Sequence, residues 1–295
     1  MHRKGIHCGS TAMGDALRHQ GLDLPEEQVF GLGSGLAFAL YDGNGSLTPP
    51  QATRFFAGRS ISFEQDLCDA IGADLQSRSY LLADQAPLKE FDLVYTDLLE
   101  LPYLKVRGHW FGHLVVIAGF TEDQVLVWDN ELEGTQSLAK TQLQKAMCGP
   151  TPAGLQGLGV TVLHVESAPA KVPEGAARKA ILRNALQMTE QAAPNEGVEG
   201  IEQLAREFDE WRKAPDWERR ARLAAQVIET RGCGGGLFRR MYARFLKQSL
   251  PALEPLCLRA ADAWTAFATK LETRQIKACA EAERALWSRA LELCE

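Results

Sequence analysis

No stretch of this sequence approaches the roughly 20 consecutive apolar residues that a bilayer-spanning helix requires. The opening MHRKGIHCGS also has no apolar segment of the kind that marks a secretory signal, so a cytoplasmic location is expected. Paired cysteines are missing as well. The seven that exist, at positions 8, 68, 148, 233, 257, 279 and 294, form no CxxC motif and fall short of the density of a disulfide scaffold, so they read as free thiols. Positive charge is not in surplus: the formal net charge of −6 gives no basic field for nucleic acid, and no polybasic run offers itself to an anionic membrane. Internal repeats and low-complexity tracts are also absent, which removes solenoids and disordered arrays. Small-molecule or protein-borne substrates are left.

What is present describes a globular protein: hydrophobic residues make up 45% of the 295, enough for one or two domains at about 150 residues each. Up to about Glu166 short helical segments alternate with β-branched runs, and after AKVPEG the chain turns almost wholly helical. The expected class is therefore α+β over residues 1–168, followed by an α-helical domain over residues 175–295 that shapes the substrate cleft. STAMGDALRHQG predicts a helix capped by Ser10 or Thr11 and ended by Gly21, and SISFEQDLCDAIG a second one ended by Gly72. GHLVVIAGFTEDQVLVWDN predicts a hairpin of strands 113–119 and 124–128, and LGVTVLHVE a strand over 158–166 in the middle of a sheet. In the helical half Trp211, Trp217, Trp264 and Trp287 lie on apolar stripes and read as core.

The chemistry concentrates in three places. Cys8 stands at the head of the first helix, where free backbone N–H groups and the positive end of the helix dipole favour thiolate over thiol. His113 opens the hairpin whose far strand runs into Asp129, and neighbouring antiparallel strands can hold an imidazole beside a carboxylate. Thiol, imidazole and carboxylate in that order suit nucleophilic catalysis by Cys8, with His113 as base and Asp129 orienting it. His109 is a rival base that lies outside the apolar run and reads better as a residue lining the substrate cleft.

The head of the chain, HCGSTAMGDALRHQGLDLPEEQVFGLGSGLAF, resembles the N-terminal domain of the butirosin biosynthesis protein H family, papain-like acyltransferases that move an acyl group from a carrier-protein thioester to an amine. CGSTAMGDAL with GHLVVIAGF and VLVWDN is more distantly similar to the bacteriocin-processing cysteine peptidases, and GCGGGLFRRMYARFLKQSL resembles the helical domain that accompanies the acyltransferase domain. The resemblance implies a papain-like fold and a Cys8 nucleophile, with His113 as base and acid and Asp129 as the orienting group. It also implies an acyl carrier protein as donor, a small amine as acceptor, and no bound cofactor, the phosphopantetheine riding on the carrier. Natural product biosynthesis, antibiotic biosynthesis included, is the implied setting. Papain-like enzymes often carry a Gln about six residues before the cysteine as oxyanion donor; here that position is His2. The hole then combines the Cys8 N–H with a donor drawn from His7, His2 or the Gly9 and Ser10 backbone.

Two further segments are candidate substrate sites. FGLGSGLAFALY lacks the strand and lysine of a phosphate loop, so Gly33, Ser34 and Gly35 either let the backbone approach the cleft or simply form a turn. Arg59 either binds a substrate carboxylate or makes a structural ion pair. In RGCGGGLFRRMYARFLK, Gly234, Gly235 and Gly236 with Arg239 and Arg240 either receive the phosphate of a phosphopantetheine arm or form a tight loop before a solvated basic helix face, and Cys233 is a candidate for the cleft wall. The same triad serves a thioesterase or peptidase with water as acceptor, and a non-catalytic binding module remains the rival of a different class.

Overall fold

The structure, a computed structural model, describes residues 2–42, 54–148, 159–190 and 193–294. The described chain gathers into two compact units, one built from residues 2–26 and 72–171, the other from 27–41, 54–71 and 172–294. Segments 27–41 and 54–71 thus group with the helical half, although in linear order they fall inside the expected first domain.

The first unit contains helices α1 (Cys8–His19) and α4 (Lys140–Met147) with strands β3 (Asp74–Tyr80), β4 (Leu93–Asp97), β5 (Phe111–Phe120), β6 (Gln124–Trp128), β7 (Gln136–Ala139) and β8 (Val160–Ser167). The strands form one sheet in the order β3-β8-β4-β5-β6-β7, paired antiparallel throughout among the described residues. The expected hairpin is β5 and β6, in a register that sets Val116 opposite Trp128 and Ile117 opposite Val127. The expected bare strand is β8, which lies inside the sheet between β3 and β4; position 158 falls outside the described residues. One face of the sheet is sealed by Val94, Val115, Ile117, Val125, Val127 and Val162 against Leu143, Ala146 and Met147 of α4. The edge strands β3 (DLQSRSY) and β7 are polar, so they carry no apolar alternation to announce them.

Helix α1 packs on β5 and β8 and is buried from Gly9 to Leu17. Such complete enclosure fits its small residues, Gly9, Ser10, Ala12, Gly14 and Ala16, which let flanking structure approach closely. It ends as expected, with Gly21 at φ +89° just beyond the cap. Its start is one turn earlier than Ser10 or Thr11 would give: His7 is the cap, its ring Nδ1 accepting the Ser10 N–H at 3.1 Å, so Cys8 is the first helical residue.

The second unit contains β1 (Leu36–Asp42) paired with β2 (Arg54–Arg59), and the helices α3 (Phe63–Ile71), α5 (Ala176–Thr189), α6 (Gly197–Trp211), α7 (Trp217–Glu229), α8 (Arg239–Ser249), α9 (Glu254–Lys270) and α10 (Thr273–Cys294), with α2 (Glu26–Leu32) entering it after Glu26. Its core is aromatic. Trp264 and Trp287 are wholly buried, Trp211 is buried, and Trp217 is half-buried edge-on to Phe208, as their stripes require. No helix among the described residues is long and apolar enough to cross a membrane.

Candidate active site

The loop before α1 is fixed by a single carboxylate. Glu26 accepts hydrogen bonds from the backbone N–H of Ile6 (2.9 Å) and His7 (2.7 Å) and from the hydroxyls of Ser10 (3.0 Å) and Thr11 (3.3 Å). Cys8 therefore enters the helix from a rigid approach, at the end of α1 where the dipole is positive. It is partly exposed, whereas Cys68, Cys233, Cys257, Cys279 and Cys294 are buried and Cys148 is exposed.

The hairpin register explains the imidazole and its carboxylate. With Val116 opposite Trp128, Asp129 falls opposite Val115 and diagonal to His113, on the same face as both by alternation. The gap closes with a bond of 2.9 Å from His113 Nε2 to Asp129 Oδ2. The ring also makes a hydrogen bond with the Cys8 thiol. Since Nε2 is committed to Asp129, Nδ1 is the nitrogen left for the sulfur. Asp129 is held on every side: its Oδ2 accepts from the Tyr103 hydroxyl at 3.1 Å and its Oδ1 from the Glu131 N–H at 3.0 Å.

Burial would push the His113 pKa down, but the bond to Asp129, the bond to Cys8 and the charges of both override it and raise the pKa to about 10. Burial would push Asp129 up, and the His113 imidazolium with the Glu131 N–H and the Tyr103 hydroxyl holds it below the ordinary carboxylate value instead. At neutral pH the ring is thus an imidazolium between a carboxylate and a sulfur, an arrangement that favours thiolate at Cys8. Chemically it provides a nucleophile, a proton donor for a leaving group and an acceptor for an incoming nucleophile's proton.

His109 belongs to a different pair. Its Nδ1 bonds Asp97 Oδ2 at 2.6 Å, its side chain is half exposed, and Asp97, fully buried, also accepts from the N–H of Trp110 and Leu99. The thiol and Asp129 are thus served by His113, while His109 has a carboxylate of its own.

The oxyanion candidates separate on geometry. Both ring nitrogens of His2 are committed, Nδ1 to Asp15 and Nε2 to the carbonyls of Asp129 and Leu132, so no proton is left for a substrate oxygen. The Ser10 N–H donates to His7 Nδ1, which removes it too and makes the His7 ring a helix cap. The N–H groups of Cys8 and Gly9 lie at the open end of α1.

The remaining candidates belong to the second unit, where their own neighbours engage them, which corrects their reading as substrate groups. A Cβ on Gly33 would fall 2.5 Å from the Phe63 ring and one on Gly35 2.7 Å from the Phe30 ring, so these glycines serve packing. Ser34 is wholly buried, its hydroxyl bonded to the Ala180 carbonyl. Arg59 forms an ion pair with Glu64 at 3.5 Å. Gly234, Gly235 and Gly236 all have left-handed φ, at +68°, +86° and +57°, and the Gly236 N–H donates to Glu229. The chain's own carboxylate sits where a phosphate was expected and would repel one. Arg239 is fully buried, with its Nε 2.6 Å from Glu283 Oε1, and Arg240 is bonded to Asp262 at 2.9 Å. Cys233 is buried with its thiol on the Ile228 carbonyl, and burial pushes its pKa up.

Tyr103, Glu26, Asp15 and Asp97 went unnoticed in the sequence. Tyr103 sits in an irregular loop with no periodicity, and Glu26 in LPEEQ signals only a helix start.

A family model described as butirosin biosynthesis protein H, N-terminal, matches residues 7–130, the span that carries Cys8, His113 and Asp129. A second, described as a domain of unknown function, DUF4872, matches residues 142–291. No curated protein matches the chain. The first match covers the thiol, imidazole and carboxylate, and the second covers about half of the chain, so this protein belongs to the butirosin biosynthesis protein H family, with that N-terminal domain followed by a DUF4872 domain.

Proposed function

We propose that the protein is a papain-like thiol acyltransferase of biosynthesis, taking an acyl group from a phosphopantetheine thioester on an acyl carrier protein and passing it to a small amine. The observation that carries this reading is the partly exposed Cys8 at the head of α1, hydrogen-bonded to an imidazole that Asp129 holds. The family's description, a biosynthesis protein, supports the setting.

In the first half-reaction the Cys8 thiolate attacks the thioester carbon. The oxyanion is received by the N–H groups of Cys8 and Gly9, and the pantetheine sulfur leaves with the proton of the His113 imidazolium. The neutral His113 then accepts a proton from the amine as its nitrogen attacks the acyl-enzyme, and Cys8 leaves as thiolate, which restores the starting pair. Exchange between two thioesters is nearly isoenergetic, so formation of the amide drives the sequence. His109, half exposed on its Asp97 support, lines the cleft in this reading. The exposed Arg244 and Lys247 with half-buried Arg240 on α8 give an acidic carrier a local positive stripe on a chain of net charge −6.

Intact-mass spectrometry after incubation with a panel of acyl thioesters tests the proposal. An acyl adduct that maps to Cys8 and is discharged by added amines is the expected result. Discharge by water alone would make the protein a hydrolase with the same machinery. Absence of any adduct, with Cys8 alkylating no faster than Cys148, would sink the enzymatic reading.

A further inference from the structure

His2 occupies the place where an oxyanion donor was expected, yet its contacts lead elsewhere. Its side chain is only 3% exposed, and it lies between the helix that carries Cys8 and the turn that carries Asp129. Nδ1 donates to Asp15 Oδ2 on α1 at 2.5 Å, and Nε2 donates to the carbonyls of Asp129 and Leu132, each at 3.1 Å. The ring stacks on Trp128, the last residue of β6, with centroids 5.8 Å apart and planes 12° from parallel. Asp15 is itself 2% exposed and fixed from its other oxygen by Arg18 at 2.5 Å.

The neighbouring residues extend this bridge. The Gly5 N–H donates to the Asn130 carbonyl at 3.2 Å, and Asn130 Nδ2 donates to the Ile6 carbonyl at 3.3 Å. Residues 2–6 therefore form a strap laid along the 129–132 turn, and the strap runs directly into Cys8. The His2 ring ties that turn directly to the Asp15 side chain on the body of α1.

We infer that His2 is a positioning residue that sets Asp129, and through it His113, against Cys8 by bonding the Asp129 main chain and the α1 side chain Asp15 at once. It touches no reacting atom. A neutral imidazole carries one N–H, and here acceptors face both nitrogens, a carboxylate at Nδ1 and two carbonyls at Nε2, so the bridge is complete only with both nitrogens protonated. Burial works against that charge, and Asp15, by hydrogen bond and by charge, with the two carbonyls raises the His2 pKa above its ordinary value. The charged groups around the ring are Asp15 and, on the same carboxylate, Arg18; the Asp129 carboxylate is turned to His113 and Tyr103.

The inference rests on the proposed roles of Cys8, His113 and Asp129, and its test works without knowing the natural substrate. Cys8 alkylation by iodoacetamide is followed against pH in the full chain, in His2→Ala and His2→Gln, each alone and combined with Asp129→Ala, with melting temperatures taken alongside. Loosening a catalytic group by about 1 Å costs up to about a hundredfold. The neutral-pH alkylation rate of His2→Ala is expected to fall about tenfold to a hundredfold while the high-pH limiting rate stays, because the thiolate loses its partner and the sulfur itself is untouched. His2→Gln, which keeps one donor, recovers part of the loss. In the Asp129→Ala background the His2 change has no further effect. If neither His2 variant moves the pH profile while wild-type Cys8 is activated, the inference is overturned, whatever happens to the melting temperature. Full additivity with Asp129→Ala would overturn it as well. Wild-type Cys8 alkylating like a free thiol would instead strike at the reading of the triad.

Discussion

Two buried ionic clusters in this protein use similar groups to opposite ends. In the second unit, Arg239 and Glu283 are both wholly buried and 2.6 Å apart. Glu283 also accepts from the indole N–H of Trp264 and Trp287, and Arg239 donates to the carbonyls of Leu237, Gly58 and Ala37. Each carboxylate oxygen is answered, and the guanidinium lies over the Trp264 ring. The nearby thiols follow suit: burial pushes Cys257 and Cys279 upward, away from thiolate. In the first unit, His113 and Asp129 are buried too, but the cluster ends at Cys8, a residue that is only partly buried. A satisfied network that is sealed holds a fold together, whereas one that ends at a partly exposed thiol is, on the proposed reading, able to react.

The sharpest way to break that comparison is to cross the substitutions. His113→Ala should lower turnover of any thioester substrate by about 10³-fold or more, by analogy with the loss of a triad base, and slow Cys8 alkylation at neutral pH by up to about a hundredfold, since a free thiol still holds a few per cent thiolate there. The melting temperature should change little relative to that loss. Glu283→Gln should do the reverse, destabilising by about 3–5 kcal/mol because Arg239 is left buried beside a neutral amide. The Cys8 alkylation rate of the folded fraction should stay unchanged. A large loss of Cys8 reactivity in folded Glu283→Gln would show that the two clusters are not separate in function.

Titration sharpens the contrast. The folded-state pKa of His113 is raised from 6.5 to about 10, so the pair's contribution to stability is fully present below about pH 6.5 and is lost as pH rises through about 10. Denaturant melts from pH 6 to 10.5 should show this decline in wild type and a shallower one in His113→Gln. An identical slope in both would mean that the imidazolium does not persist at neutral pH.

The smallest expected effect lies at the surface of α8. Arg240 is paired with Asp262, while Arg244 and Lys247 are exposed, so Arg244→Glu with Lys247→Glu should reduce kcat/KM for a carrier-bound donor several-fold and deepen its salt dependence. A small thioester should be used as before. Equal losses with both donors and a lowered melting temperature would assign the stripe to stability instead.

The hairpin, the β8 strand, the end of α1 at its closing glycine, and the long helices were legible because each depends on local periodicity or on one residue's backbone freedom, whereas the His7 cap of α1 was not. The edge strands β3 and β7 were not, since β3 has no buried residue and β7 buries only Leu138, so neither carries an apolar alternation. Among the site residues, Cys8 was marked by its place before a helix, and His113 with Asp129 by the two ends of the hairpin. Tyr103 and Glu26 had no such mark, because they act across gaps of 26 and 15 to 20 residues.

By itself, then, the sequence determined the β5–β6 hairpin, β8 and the long helices, and which thiol stood at a helix start, because hydrophobic spacing and capping are properties of neighbours along the chain. Tertiary structure alone decided that Arg239 would vanish into an ion pair with Glu283, that Glu229 would stand at the glycine run, and that His2 would bridge Asp15 to the Asp129 turn. These are choices among partners that lie from 7 residues apart, as Glu229 and Gly236 do, to 127, as His2 and Asp129 do. They follow from which hydrogen bonds remain to be satisfied once the sheet and helices have packed, and that requirement is written in no local pattern.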